Sequence, residues 1–442
     1  MKIKPSEGNK TFCMAPWTHS YISPQSERRI CCASTEPAQT FTQYIDTAEG
    51  SGNYEPMTLE EHWNSDHMKS VRARMLRGEA LDECKVCDQS LLHTTTYRNY
   101  FNSLFGRHID SAYENTTDEG ETTLKTISFD YRFSNLCNFK CRMCGSMLSS
   151  QWEAEERKHN IGAIDNNLWM QPDVKQKIQD FTKNVVEKEF AEAVESKRIE
   201  EVYWVGGEPL MYDEHWKYMK RMVDIGHSED VHARYNSNLS RIKFKGIDLF
   251  KDLLINFKSW QMCASIDGTG EIGEYIRTGL DWPQFKENFE YGLGFANHNR
   301  NPRQMQLDFT LTTPGLFEVE NMFNLSLEYE SVIISKVCFA FSPDIMMAPM
   351  CLPRKVLDRK VDEILANIEP RATWRQQGMI DMLKQLKNRP TFEEQWPNEY
   401  RIGFRKGRSR LQGLESIRQQ KITFGEIMDR DKEMSDWWKQ EA

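Results

Sequence analysis

Apolar and polar positions along this chain change rhythm near Leu124. Before that point turn formers are frequent and long apolar runs are few, which predicts a small irregular domain over residues 1–123. A hairpin is expected there, with arms Trp17 to Ile22 and Arg28 to Cys32, and then a helix from Thr58 to about Arg77. Thr58 and Glu61 have capping-box spacing, and Gly78 is placed to stop that helix. From Leu124 the chain alternates strand and helix patterns. Strands are expected at Leu124–Phe133, Glu201–Val205, Val231–Tyr235, Gln261–Ile266, Gln306–Thr312 and Lys336–Phe341, with helices such as Met147–His159 and Val174–Glu195 between them. This alternation predicts a parallel sheet with right-handed crossovers, an α/β fold. Six strands are too few for a closed eightfold barrel. Because the chemistry-bearing residues fall just after strands, a partial (β/α)6 barrel over 124–350 fits better than a doubly wound sheet. Residues 351–442 read as a helical, charged C-terminal extension, with helices at Val356–Ile368 and Arg375–Leu386 and an irregular basic run at Arg401–Arg410.

Composition narrows the classes. Charged residues make up 28% of the 442 positions, and no apolar run reaches eighteen residues, so no membrane span is expected. The first residues lack an apolar signal core, and a cytoplasmic location is expected. Eleven cysteines, an odd count in close clusters, read as metal ligation rather than as a disulfide framework. Net charge −9 argues against broad nucleic-acid binding. The ten histidines show no metal spacing, and His62 and His67 read as surface positions on one helix.

Cys137, Cys141 and Cys144 lie within eight residues. Three thiolates on one loop can hold three corners of a cubane cluster and leave one iron open. A closed zinc site would want a fourth protein ligand; a zinc loop or three unrelated buried thiols are the plainer alternatives. After Tyr203-Trp204-Val205 comes Gly206-Gly207-Glu208-Pro209. The glycines let backbone approach a ligand, Glu208 offers a carboxylate to an ammonium group, and Pro209 stiffens the exit, although Gly-Gly is also common in ordinary strand-to-helix turns. Later strand ends give Asn238, then Ser265 and Asp267, and then Arg277. A guanidinium suits bidentate pairing with a carboxylate, and a surface salt bridge is its bland alternative. In the N-terminal region Cys13, the pair Cys31 and Cys32, and Cys84 with Cys87 can make a four-thiolate zinc site or a fully ligated iron–sulfur cluster, and residue chemistry does not separate the two. Cys263, Cys338 and Cys351 read as buried inert thiols, and Met346, Met347 and Met350 as core filling, with the lining of an apolar substrate mouth as the alternative.

The Cys-x-x-x-Cys-x-x-Cys spacing followed by Gly-Gly-Glu-Pro resembles the radical SAM superfamily, where SAM is S-adenosylmethionine. That resemblance implies a 4Fe-4S cluster on Cys137, Cys141 and Cys144 whose open iron binds SAM. It places Gly206, Gly207, Glu208 and Pro209 at the cosubstrate's amino group and Asn238 at the ribose. Ser265 and Arg277 fall at its carboxylate, with Asp267 and Met143 in the same cofactor-binding set; Thr312 and Phe341 end later strands near ribose or adenine. The N-terminal cysteines resemble a twitch or SPASM-type auxiliary domain, here preceding the barrel where relatives place it after. Such hairpins carry a glycine five residues before the ligand, where this chain has Ser26, and the match prefers Cys31 to Cys32. One auxiliary 4Fe-4S cluster, on Cys13, Cys31 or Cys32, Cys84 and Cys87, is implied. The implied activity is reductive cleavage of SAM to a 5′-deoxyadenosyl radical that abstracts hydrogen from a peptide or protein. A reducing partner such as flavodoxin or ferredoxin goes with it. Small-molecule or RNA substrates are alternatives, and a non-catalytic iron–sulfur or zinc metalloprotein is the competing class. No residue is selected as a general base.

Overall fold

The computed structural model describes residues 2–35, 56–88, 96–161, 168–297, 300–340 and 344–440. Its strands, in chain order, are β1 (His19–Ile22), β2 (Arg28–Arg29), β3 (Ser128–Tyr131), β4 (Lys140–Cys141), β5 (Glu201–Trp204) and β6 (His232–Ser237). They continue with β7 (Lys243–Phe244), β8 (Ile247–Asp248), β9 (Ser259–Ser265), β10 (Arg277–Thr278), β11 (Met305–Leu311) and β12 (Ile333–Val337). The chain divides into two compact units: Met1–Cys137 with Ser146–Tyr235 and Lys243–Trp260, and Asn138–Gly145 with Asn236–Ile242 and Gln261–Ala442.

In the first unit β3 pairs in parallel with β1 and with β5, and β5 with β6. Every residue of β3 and β5 is buried, as expected of parallel strands covered on both faces. An aromatic cluster anchors them: Phe190, from the helix Glu187–Glu195, makes edge contacts with Phe129, Phe133 and Trp204. The N-terminal hairpin β1–β2 forms as expected, and β1 then continues the sheet beyond β3. An isolated hairpin is marginal in water, and pairing with β3 satisfies its edge. Phe12, Met14, Trp17, Met68, Met75 and Phe101 form a separate apolar core beneath it. The segment after Thr58 forms two helices rather than one, Leu59–Trp63 and Asp66–Leu76, because Ser65 caps the second. His62 is buried, not surface.

In the second unit β9, β11 and β12 pair in parallel. The helices Trp282–Leu293 and Val319–Glu328 connect them. The six strands β3, β5, β6, β9, β11 and β12 follow one another in chain order with helical segments between, the α/β pattern of the expected partial barrel. The C-terminal region is helical, and residues 401–410 are not irregular: they lie inside the helix Pro397–Ile417. Its buried face is Tyr400, Phe404, Gly407, Leu411 and Leu414, and the glycine in that stripe hides the helical period from the sequence. Among the described residues no helix is long and apolar enough to cross a membrane.

Candidate functional site

In the first unit, the end of β3 leads into Asn135, Leu136 and Cys137. The side-chain amide of Asn135 donates to Ser146 O (2.9 Å) and Glu153 Oε2 (3.0 Å), and the Cys137 amide donates to Ser150 Oγ (3.2 Å). The turn after β5 packs directly on this segment. Gly206 and Gly207 have φ of 81° and 50°. A Cβ on Gly206 would come 2.6 Å from the Arg132 side chain, and one on Gly207 would come 2.5 Å from Leu136 O and 2.7 Å from the Tyr212 hydroxyl. Both positions therefore demand glycine, for conformation and for space. The Glu208 amide donates to Leu136 O at 2.8 Å, and the Glu208 carboxylate, fully buried, accepts from the Leu210 amide at 3.1 Å. Tyr212 donates to Ser134 O at 2.7 Å and to Gly206 O. Burial, together with the charges of Glu208 and Cys137, pushes the Tyr212 hydroxyl well up. Gly206–Pro209 thus clamps the approach to Cys137.

The second unit holds Cys141 and Cys144. Cys141 sits in β4, which pairs antiparallel with β10 so that Arg277 faces it, and Arg277 Nη1 lies 4.0 Å from Cys141 Sγ. Arg277 Nε is 2.6 Å from Asp267 Oδ2, and Asp267 Oδ1 accepts from the Thr310 amide at 2.8 Å. Burial raises the Asp267 carboxyl, partly offset by Arg277. Burial works against the charge of Arg277, but Asp267 and Cys141 hold it above the ordinary range. Two residues proposed for the cosubstrate, Asp267 and Arg277, are therefore first partners of each other. Gly279, at φ 112°, lies against Asn138 and Phe139, where a Cβ would come 3.0 Å from Asn138 O. Asn238 donates to Asn138 Oδ1 at 3.0 Å. Met143 is half-buried, and Ser265 ends β9 opposite Asp308. Thr312 is buried with Oγ1 accepting from the Gly315 amide at 3.0 Å; Phe341 lies outside the described residues.

Sequence reasoning missed a neighbouring charge cluster. Lys336 Nζ lies 2.9 and 3.0 Å from the two carboxylate oxygens of Asp308, which also accepts from Asn236 Nδ2 at 2.6 Å. The ammonium is raised by Asp308, against the opposing effect of burial. A charge inside each of the apolar runs 305–311 and 333–337 was the available signal.

The N-terminal cysteines lie wholly in the first unit. Cys13, Cys31, Cys84 and Cys87 line one cavity together with Met75, Tyr97 and Arg98, and Cys32 does not line it. Cys32 instead bonds to the Tyr97 side chain and faces Asp130, Arg132 and Arg234. Ser26 holds φ 66°, in the turn closed by the Ser23 amide on Glu27 O at 2.8 Å. That left-handed angle is the physical reason a glycine suits the position. Burial pushes the Cys13 and Cys84 thiols up to about 12 and Cys31 well above its usual value. Burial likewise pushes Cys141 up to about 12 and raises Cys144. Thiols this desolvated become thiolates only when a metal centre supplies the compensating charge, which suits iron–sulfur ligation. Among the described residues no group of three His, Cys, Asp or Glu side chains stands ready to hold a single metal ion. Cys263, Cys338 and Cys351 are buried.

Two family models match parts of the chain. Residues 131–291 match the radical SAM superfamily, and residues 13–88 match the SPASM iron–sulfur cluster-binding domain. The two matches fall on separate parts of the chain, and neither covers half of it. Among solved structures, SuiB of Streptococcus suis bound to the precursor peptide SuiA is similar at 10% identity and a TM-score of 0.36, covering 65% of this chain and 57% of that one. Native anSMEcpe with bound AdoMet is similar at 14% identity and a TM-score of 0.34, covering 53% of this chain and 57% of that one. This chain thus spans under two thirds of the length of either. No curated protein matches it.

Proposed function

We propose that the protein reductively cleaves SAM to methionine and a 5′-deoxyadenosyl radical, which takes a hydrogen atom from a peptide or protein substrate. One electron enters; 5′-deoxyadenosine and a substrate radical leave. The observation that carries this reading is the radical SAM match over residues 131–291, which spans both the three-cysteine loop and Gly206–Pro209. Cys137, Cys141 and Cys144 would hold a 4Fe-4S cluster, and when bound that cluster supplies the electron to SAM.

The chain's own part is positioning and shielding. Glu208, buried after β5, accepts hydrogen bonds and suits the cosubstrate ammonium. Arg277 offers the remaining donors of its fork to the cosubstrate carboxylate, while Asp267 fixes its plane. Asn238, Ser265, Pro209 and Met143 belong to the same proposed binding set. Cys13, Cys31, Cys84 and Cys87 would hold one auxiliary 4Fe-4S cluster with no open position, suited to electron relay or support. The shared cavity supports Cys31 over Cys32. A peptide or protein substrate is the class that usually accompanies a SPASM-type domain, and a flavodoxin or ferredoxin would supply electrons in the cytoplasm.

The test is anaerobic reconstitution followed by assay for 5′-deoxyadenosine under reducing conditions. Wild-type protein should form it, Cys137→Ala should not, and Cys84→Ala should retain part of SAM cleavage while losing product. Full turnover in both variants, or none in the loaded wild type, would overturn the assignment.

A further inference from the structure

Arg98 stands on the wall of the N-terminal cysteine cavity with no role in the account so far. It lies in the first turn of the helix Tyr97–Leu104, and its side chain is 13% exposed. Arg98 Nη1 pairs with Asp88 Oδ1 at 2.6 Å, beside Cys87. Arg98 Nε is buried and has no hydrogen-bond partner among the described residues. Its charge acts on both Cys84 and Cys13. Burying a guanidinium with one N–H unsatisfied is costly, and proteins keep such a group where something else accepts it.

We propose that Arg98 donates through Nε to a sulfur of the auxiliary cluster and sets that cluster's reduction potential. The inference rests on the reading that Cys13, Cys31, Cys84 and Cys87 hold an iron–sulfur cluster. A hydrogen bond and a positive charge next to a cluster both favour its more negative, reduced form. Asp88 works in the opposite sense, since its carboxylate also acts on Cys84. Arg98 is thus a tuning residue rather than a ligand, and its ion pair with Asp88 holds the guanidinium in place.

The opposed charges make the test decisive. The full chain with Cys137, Cys141 and Cys144 all changed to Ala leaves only the auxiliary site to load iron. Its potential is then read by redox titration with EPR detection. In that background Arg98→Gln should lower the reduced-to-oxidised ratio at a fixed potential about tenfold, a shift of ~59 mV for one electron. Arg98→Lys keeps the charge and should fall less. Asp88→Asn should move the potential the other way. A merely structural ion pair predicts the same sign for Arg98→Gln and Asp88→Asn, since both break it; that result, or unchanged potentials at full iron content, overturns the proposal. If Arg98→Gln fails to load iron, the signs of Arg98→Lys and Asp88→Asn decide in the same way. Zinc alone, or no iron, in the parent background would overturn the cluster reading itself, and that shows before any Arg98 variant is made.

Discussion

Gly207→Ala is the substitution whose cost can be worked most fully from the geometry. Its Cβ would sit 2.5 Å from Leu136 O and 2.7 Å from the Tyr212 hydroxyl, roughly an ångström inside ordinary contact. The first obstacle is backbone and cannot rotate away. Holding alanine at φ 50° costs about 1–2 kcal/mol by itself. Displacing Leu136 weakens the 2.8 Å bond from the Glu208 amide, worth about 1 kcal/mol. Overpacking of this kind adds about 1–3 kcal/mol. The total expected loss is about 3–6 kcal/mol, concentrated in the residues that deliver Cys137. Denaturant unfolding should show that loss, and iron retained per chain after reconstitution should fall with it. Gly145→Ala is the internal control, because nothing lies within 4 Å of a Cβ there and its φ is not positive. It should be near neutral. If Gly207→Ala matches wild type in both stability and iron content, the clamp attributed to Gly206–Pro209 does not exist.

Ser26→Gly should do the reverse. It relieves a φ of 66° and removes a buried Oγ that has no partner among the described residues, for a net gain of about 1 kcal/mol after the extra chain entropy of glycine, and a loss of stability would refute this. Cys31→Ala should abolish iron binding at the N-terminal site while Cys32→Ala preserves it, as read by iron content in the background without Cys137, Cys141 and Cys144; equal loss would refute the cavity assignment. Acid should destabilise the fold through two buried histidines. Burial holds His19 near a pKa of about 4 and His215 near about 3, so both stay neutral when folded while the unfolded chain protonates them below about 6.5. Stability is therefore complete above about pH 6.5 and falls as pH drops toward 4, by up to ~1.4 kcal/mol per pH unit for each histidine. His215→Gln should flatten that slope between pH 6.5 and 4 in denaturant titrations, and an unchanged slope would contradict the assignment.

Much of the fold was legible because local signals and tertiary structure agree. Thr58 and Glu61 form the expected capping box, with the Thr58 amide on Glu61 Oε2 at 2.8 Å. The strand–helix alternation from Leu124 onward reappears as parallel strands. The failures have particular causes. His62 was misplaced because the break at Ser65 turns the first short helix independently of the second. The helix through Arg401–Arg410 was hidden by glycines, although Arg410 pairs with Asp344 at 3.0 Å and Arg408 donates to Trp438 O at 2.9 Å. Within the site, the cysteines and Gly206–Pro209 carry spacing that a sequence displays. Asp308 and Lys336 do not, because each is explained only by the opposite charge on the adjacent strand. Arg277 was identified as a carboxylate partner, and the carboxylate it holds in the folded chain is that of Asp267.

Cys137, Cys141 and Cys144 are proposed to leave one iron vacant for SAM. That vacancy is tested most directly by spectroscopy on the full chain with Cys13, Cys31, Cys84 and Cys87 changed to Ala, which isolates the cluster in question. The reduced protein should bind about four irons at that site, and adding SAM should shift its EPR spectrum. A zinc-filled site, or an iron–sulfur signal that SAM leaves untouched, would contradict the proposal.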